Sequence, residues 1–383
     1  MNYYYNCEET TKWFMSFFQN RKQFVQIGQQ KSPIIENHNI SCIQGSSAGP
    51  ETYSLYTADI ESTTNLFSIY FADDTNIINS GKDLKIIESE MNEGLETIQD
   101  YLRANKLTLN VDKTVAMHFK PPKMNKTDQQ PNLEINQEKI TLVKETKFLG
   151  VTIDNKLKYD THFKHVVEKV KKGINALKAV KNLLDYSSKI KIYYALIHSH
   201  LTYCPLVWLL NQPKKNLTWL AILQKKAVRL VFNAPFNCHT EKLFKYSQIV
   251  KVTNVCETDA LTIMYRHHNK LLSPAISNMI IEAQKVNRPH RKTKDNISNI
   301  YKNGDITFYL LKTWTNFLNK IKYTRVSIDL AKEEIKKHVA LNSRNYCTIK
   351  KCERCKAEIL FFQKHSNSFS KKKVSKKLVP PSS

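Results

Sequence analysis

The chain has 383 residues, 41% of them hydrophobic, and a formal net charge of +25; this is enough apolar material for two or three packed domains and excludes a wholly disordered chain. It holds only eight glycines and neither a GxGxxG nor a GxxxxGKS/T sequence, which excludes Gly-rich phosphate loops, and no apolar run approaches the ~18 residues that span a membrane. The charge is uneven: residues 1–150 carry 15 Lys and Arg against 19 acids, whereas residues 151–383 carry 44 against 15. A mildly acidic part joined to a strongly basic one points the second part toward a polyanion. The start, MNYYYNCEETTKW, lacks the basic and apolar stretches of a signal peptide. Eight scattered cysteines suit reduced thiols in an intracellular compartment, nucleus or cytoplasm, better than a disulfide framework.

Trp13, Phe14, Phe17 and Phe18 recur at helical spacing and predict an amphipathic helix. RKQFVQIG alternates and reads as a strand, NISCIQGSSAGP is loop-like, and ETYSLYTADI begins a helix. In NLFSIYFADDTNIIN, residues 65–79, Phe67, Ile69 and Phe71 share one strand face, the polar DDTN interrupts, and Ile77 and Ile78 begin a second strand. This is a short hairpin with two acids at its turn. Leu84, Ile87, Met91, Leu95, Ile98 and Leu102 follow at spacings of three and four, an amphipathic helix. KLTLNVDKTVAMHF reads as a strand or strand-turn-strand, and EINQEKITLV and KFLGVTID as two further strands. From about residue 160 helices prevail: THFKHVVEKVKKGINALKAVKNLL, SKIKIYYALIHSHLTYCPLVWLL and NLTWLAILQKKAVRLVF each read as long and helical. Their Lys residues are candidates for phosphate contact, and Tyr193, Tyr194, Trp208 and Trp219 read as core. The final KHSNSFSKKKVSKKLVPPSS has six Lys and no acid, a basic tail.

Adjacent carboxylates at a hairpin turn are most often only a turn, because Asp bonds its local backbone there. They also suit a site where carboxylates on a rigid strand end hold Mg²⁺ for phosphoryl transfer. The neighbours favour the second. FADD at Phe71–Asp74 resembles the aromatic-Ala-Asp-Asp box of the reverse transcriptases of non-LTR (LINE-like) retrotransposons. QGSSAGP, KLTLNVDKTVAMHF and KFLGVTID follow the order of that family's template-facing loop, post-hairpin segment and primer-gripping hairpin, with the intervening helix in place.

The resemblance implies an α+β fold: a partial polymerase palm, an antiparallel sheet with helices over residues 1–155, then a helical thumb-like region over 156–235, a helical C-terminal region over 236–345, and a disordered Cys-containing basic tail over 346–383. It implies Asp73 and Asp74 as ligands of two Mg²⁺ ions, and Lys113 as an aid to the leaving pyrophosphate. Gln44, Gly45, Phe71 and Ala72 would line the nucleotide and template site, and Phe148, Leu149 and Gly150 would grip the primer. The implied partners are an RNA template, a DNA primer and deoxynucleoside triphosphates, with no membrane. That family carries a further metal-binding Asp on an upstream strand; nothing before Gln44 resembles it, so the expectation is a truncated palm with impaired catalysis. Glu51 and Thr52 also stand where the family has an apolar helix start, an expected destabilisation. The alternatives are a catalytically inactive nucleic-acid-binding remnant and, from another class, a helical protein-interaction module. Cys347, Cys352 and Cys355, with His365, form a donor set for Zn²⁺, though the spacing fits no standard pattern. His198, His200, His267 and His268 are read as packing or surface residues.

Overall fold

The computed structural model describes residues 7–19, 21–37, 45–120, 129–286, 306–318 and 335. Gln44 and the Cys347/Cys352/Cys355/His365 set lie outside them, as do residues 346–383. The chain divides into two compact units, Met1–Lys144 and Glu145–Ser383.

Among the described residues the first unit mixes short strands with helices. Helix α1 (Glu8–Phe18) precedes a nested pair of hairpins: β1 (Arg21–Gln23), β2 (Gln26–Ile27), β3 (Gln30–Lys31) and β4 (Ile35–Asn37), with β1 against β4 and β2 against β3. Helix α2 (Gly49–Tyr56) leads through a 3₁₀ turn, Ile60–Thr63, to the antiparallel hairpin β5 (Phe67–Phe71) and β6 (Asp74–Ile78). Helix α3 (Leu84–Ala104) follows, capped by Asp83, whose side chain accepts the Lys85 N–H at 2.9 Å. A 3₁₀ turn at Val111–Lys113 then leads to β7 (Val115–Ala116), β8 (Glu134–Ile135), β9 (Glu138–Lys139) and β10 (Thr141–Leu142). β8 and β9 form a hairpin, and β10 runs parallel to β7.

The core of this unit is small. Leu95 of α3 meets Leu133, Ile135 and Ile140, with Met91, Leu109, Val111 and Ala116 around them. Ile77 joins the same cluster and so anchors the β5–β6 hairpin. Each fully buried aliphatic side chain contributes about 1.5–3 kcal/mol, so a cluster this small leaves the unit dependent on its polar ties. Those come from one face of α3: Glu88 accepts the Asn132 N–H at 2.9 Å, Asn92 accepts the Glu134 N–H at 3.0 Å, and Gln99 accepts the Asn136 N–H at 2.9 Å. Gly94 lets α3 sit against the segment entering β5, since a Cβ there would lie 2.3 Å from Leu66.

The second unit opens with an antiparallel hairpin, β11 (Glu145–Phe148) and β12 (Val151–Asp154), and continues as helices. They are α4 (Asp160–Ala179), α5 (Tyr186–Tyr193), a π-helical turn (Tyr194–His198), α6 (Ser199–Thr202), α7 (Pro205–Trp208), α8 (Lys214–Val231), α9 (Glu241–Ser247), α10 (Val255–His268), α11 (Pro274–Val286) and α12 (Ile306–Leu318). The core is extensive: Val170, Ile174 and Leu177 of α4 recur at helical spacing and pack with Tyr193, Ile197, Leu201, Trp208, Leu220, Val228 and Leu261. Gln224 is buried there and fully engaged: its amide donates to the Tyr193 hydroxyl and the Val250 carbonyl, and its carbonyl accepts the Val252 N–H. Gly173 brings α4 against the π turn, where a Cβ would lie 2.7 Å from the Leu196 carbonyl oxygen.

A mixed helix-and-sheet chain that becomes helical in its second part is what the sequence predicts. Several local readings need correction. EINQEKITLV and KFLGVTID are not single strands: the first holds the β8–β9 hairpin and β10, and the second lies within the β11–β12 hairpin. SKIKIYYALIHSHLTYCPLVWLL is not one helix; it breaks at Cys204, whose φ is +47°, just before Pro205. Tyr193 and Trp208 are core, but Tyr194 and Trp219 are exposed. The apolar face of β5 is exposed at Phe67, Ile69 and Phe71. Thr52 is buried as expected, but its hydroxyl donates to the Ala48 and Gly49 carbonyls at 2.8 and 2.9 Å, and Glu51 is exposed, so neither strands a polar group in the core.

Candidate active site

In the β5–β6 hairpin Phe71 stands opposite Asp74, so Ala72 and Asp73 form a two-residue turn. Ala72 adopts a φ of +52°, a left-handed conformation that costs a residue with a Cβ about 1 kcal/mol or more. That turn projects Asp73, and the first position of β6 holds Asp74. Both are exposed, and among the described residues neither carboxylate is ion-paired. Two uncompensated carboxylates at neighbouring positions repel each other, and an oxygen-seeking cation relieves that repulsion. Among the described residues no cluster of three or more His, Cys, Asp or Glu surrounds them. The two carboxylates suit a hard divalent ion such as Mg²⁺ in kind.

Tyr53 of α2 is a neighbour to which no sequence pattern points. Burial, and then the charge of Asp73, hold its phenol above the ordinary value, which places α2 beside the turn. The end of α3 is tied to α2 and to the start of the 3₁₀ turn: Tyr56 donates to the Asn105 carbonyl at 2.6 Å, and Tyr101 donates to Asp59 at 2.5 Å. Gly45 lies just before α2 with φ +82° and open space where a Cβ would be, so backbone conformation rather than crowding favours glycine there. Lys113 is exposed on the 3₁₀ turn, its N–H accepted by the Asn110 side chain at 3.1 Å; it is not on a strand.

The second unit carries the other sequence candidates. Phe148, Leu149 and Gly150 form the turn end of the β11–β12 hairpin, with Leu149 at φ +42° and Gly150 at φ +85°. The Tyr203 hydroxyl donates to the Leu149 carbonyl, and a Cβ on Gly150 would lie 3.3 Å from the Tyr203 ring.

Residues 5–153 match the model of the reverse transcriptase (RNA-dependent DNA polymerase) family. This part of the chain is similar to reverse transcriptases. Over 293 residues, 73% of the chain, it is 24% identical to an RNA-directed DNA polymerase from mobile element jockey of Drosophila melanogaster, covering 31% of that protein. Its counterpart in Drosophila funebris is 25% identical over 52% of the chain and 22% of that protein. A probable RNA-directed DNA polymerase from transposon BS of Drosophila melanogaster is 24% identical over 50% of the chain and 22% of that protein. The chain therefore spans between about a fifth and a third of the length of these relatives. The resemblance read from FADD and its neighbours holds. The reverse transcriptase match runs past Lys144, through β11 and into β12, so it takes in both the acidic turn and the Phe148–Gly150 turn.

Proposed function

We propose that the chain serves RNA-directed DNA synthesis. A primer 3′-hydroxyl would attack the α-phosphorus of a deoxynucleoside triphosphate in line, with pyrophosphate leaving. The observation that carries this reading is the Phe71-Ala72-Asp73-Asp74 box at a constrained hairpin turn inside the matched segment. Asp73 and Asp74 would hold Mg²⁺, which when bound neutralises charge on the phosphate oxygens. The hairpin's part is positional: the ladder and the Ile77 anchor fix both carboxylates in place. Lys113 is assigned to the pyrophosphate side, Gln44, Gly45, Phe71 and Ala72 to nucleotide and template, and Phe148, Leu149 and Gly150 to the primer. On this reading residues 1–155 are palm and 156–235 thumb, the partners are an RNA template and a DNA primer, and the compartment is the nucleus or cytoplasm.

Primer extension on an RNA template tests this. Extension by the chain should require Mg²⁺ and fall about 100-fold or more in Asp73→Ala and in Asp74→Ala. Equal extension in the variants would sink the assignment. The excess of 44 basic over 15 acidic residues across 151–383 favours a second reading, a nucleic-acid-binding chain without catalysis. That reading expects duplex binding that weakens steeply with salt, with no extension by any variant.

A further inference from the structure

Phe236 and Leu183, 87% and 81% exposed, are the most exposed large apolar side chains among the described residues. Both stand at one end of the helical core of the second unit, where side-chain ties bring their loops together. Lys189 of α5 is buried, and its ammonium donates to the Lys181 carbonyl at 3.2 Å and to the Asn233 side-chain carbonyl at 2.9 Å. The Tyr186 ring meets Phe232 at a centroid distance of 4.9 Å and Tyr246 at 6.2 Å, and Phe232 meets Tyr246 at 5.8 Å. The loop after α4, the loop after α8 and the end of α9 therefore converge, and Leu184 and Tyr246 add to the exposed apolar surface there.

Phe236 is held in its exposed place. It is the second residue of a turn, Pro235 to Cys238, closed by the Cys238 N–H on the Pro235 carbonyl at 3.0 Å. Arg229 of α8 donates to the Cys238 carbonyl at 2.8 Å and clamps the turn to its helix. The Leu183 N–H is bonded back to the Val180 carbonyl at 3.1 Å. An exposed aromatic on a pinned turn loses little conformational freedom when it is covered, which is what an interface anchor requires. The charge around it is one-sided. Residues 178–186 and 229–247 carry five Lys and Arg against two acids. Both acids are engaged: Asp185 accepts the Ser187 and Ser188 N–H groups at 3.2 and 2.9 Å, and Glu241 accepts from Lys251 at 2.7 Å. Among the described residues no ion pair holds Lys178, Lys181 or Lys245.

We propose that this end of the second unit docks an acidic polypeptide segment, whose own apolar side chains cover Phe236 and Leu183 while its carboxylates meet Lys181 and Lys245. The inference goes beyond the polymerase reading and does not rest on it. Charge complementarity selects the occupant. The 44 basic against 15 acidic residues across 151–383 set a second copy of this unit against itself, and the chain's final KHSNSFSKKKVSKKLVPPSS brings six more Lys and no acid. Leucine has no π face on which a base could stack, so the pairing of Leu183 with Phe236 suits protein better than a single nucleic-acid strand.

The test selects a displayed library of random short peptides against the full chain, in excess RNA–DNA duplex. Enriched peptides should carry Leu or Phe among Asp and Glu. The affinity of a labelled member, read by anisotropy, should fall about 10-fold or more in Leu183→Ser/Phe236→Ser. Both side chains are exposed, so the urea midpoint should not move. Lys181→Glu/Lys245→Glu should weaken the same peptide and reduce the salt dependence of its binding. Enrichment of peptides without acids, or an affinity that Leu183→Ser/Phe236→Ser leaves unchanged, overturns the proposal. Displacement of the peptide by single-stranded RNA overturns it as well. So does a dimer in sedimentation, or binding to phosphatidylserine vesicles, that is lost in Leu183→Ser/Phe236→Ser, because each gives the patch to another occupant.

Discussion

His162 is neutral because of where it sits. A ring nitrogen that accepts a backbone N–H cannot also carry a proton, and burial, with His165 and Lys169, holds the imidazole down at about 4. The folded chain therefore binds fewer protons than the unfolded chain between about pH 4 and 6.5, so this contribution is complete above pH 6.5 and is lost as pH falls. Its size is about 3 kcal/mol. Asp259 of α10 acts in the opposite sense. Burial raises its carboxyl to about 6, so it favours the folded state when protonated and opposes it by about 3 kcal/mol above pH 6. The two slopes offset each other in the unaltered chain. Urea denaturation from pH 4 to 7 should show Asp259→Asn losing stability steeply on acidification, and His162→Gln, which keeps an acceptor, gaining it; a flat profile in both would contradict the assignment. Neither residue was legible as special in the sequence, because each acquires its surroundings from segments far along the chain. Asp73 and Asp74 were legible, since a hairpin turn is local. The apolar end patch was not, since 181–186, 232–236 and 246 converge only on folding.

Among the elements, the π turn at Tyr194–His198 and the glycine facing it form one device. Gly173 meets the Leu196 backbone, and backbone cannot move aside as a side chain can. Gly173→Ala should cost about 2–3 kcal/mol, read by urea denaturation, whereas Gly94→Ala, which meets the side chains of Leu66 and Thr64, should cost less. A larger loss at Gly94 would reverse this account. The helices themselves were readable from apolar spacing: α3 begins at the predicted Leu84 and its buried Leu95 and Ile98 belong to the predicted stripe. A π turn leaves no such trace, since it adds one residue to a turn without altering residue types. The break before Pro205 did have a signal in the proline. The short strands of the first unit were blurred because two-residue pairs are too brief for alternation to register.

At the scale of the whole molecule the two units differ in what holds them together. The first relies on a small aliphatic cluster around Leu95 and the side-chain ties of α3; the second encloses a large helical core that includes Trp208. Unfolding should therefore occur in two steps. Amides of α3 should exchange with deuterium at lower urea than those of α4 and α8, and the buried Trp208 should report only the later step; one coincident transition would refute it. The β5–β6 hairpin has a further consequence. Each of its strands is paired on one side in a two-stranded sheet, and Phe-Ser-Ile-Tyr-Phe has no charge or proline and exposes Phe67, Ile69 and Phe71. Such a strand is a template for pairing between molecules. The same short ribbon that presents the two aspartates sets a ceiling on working concentration. Light scattering should show the chain self-associating as it is concentrated, and Ile69→Lys, which places a gatekeeping charge on that face, should raise the ceiling without touching the acids.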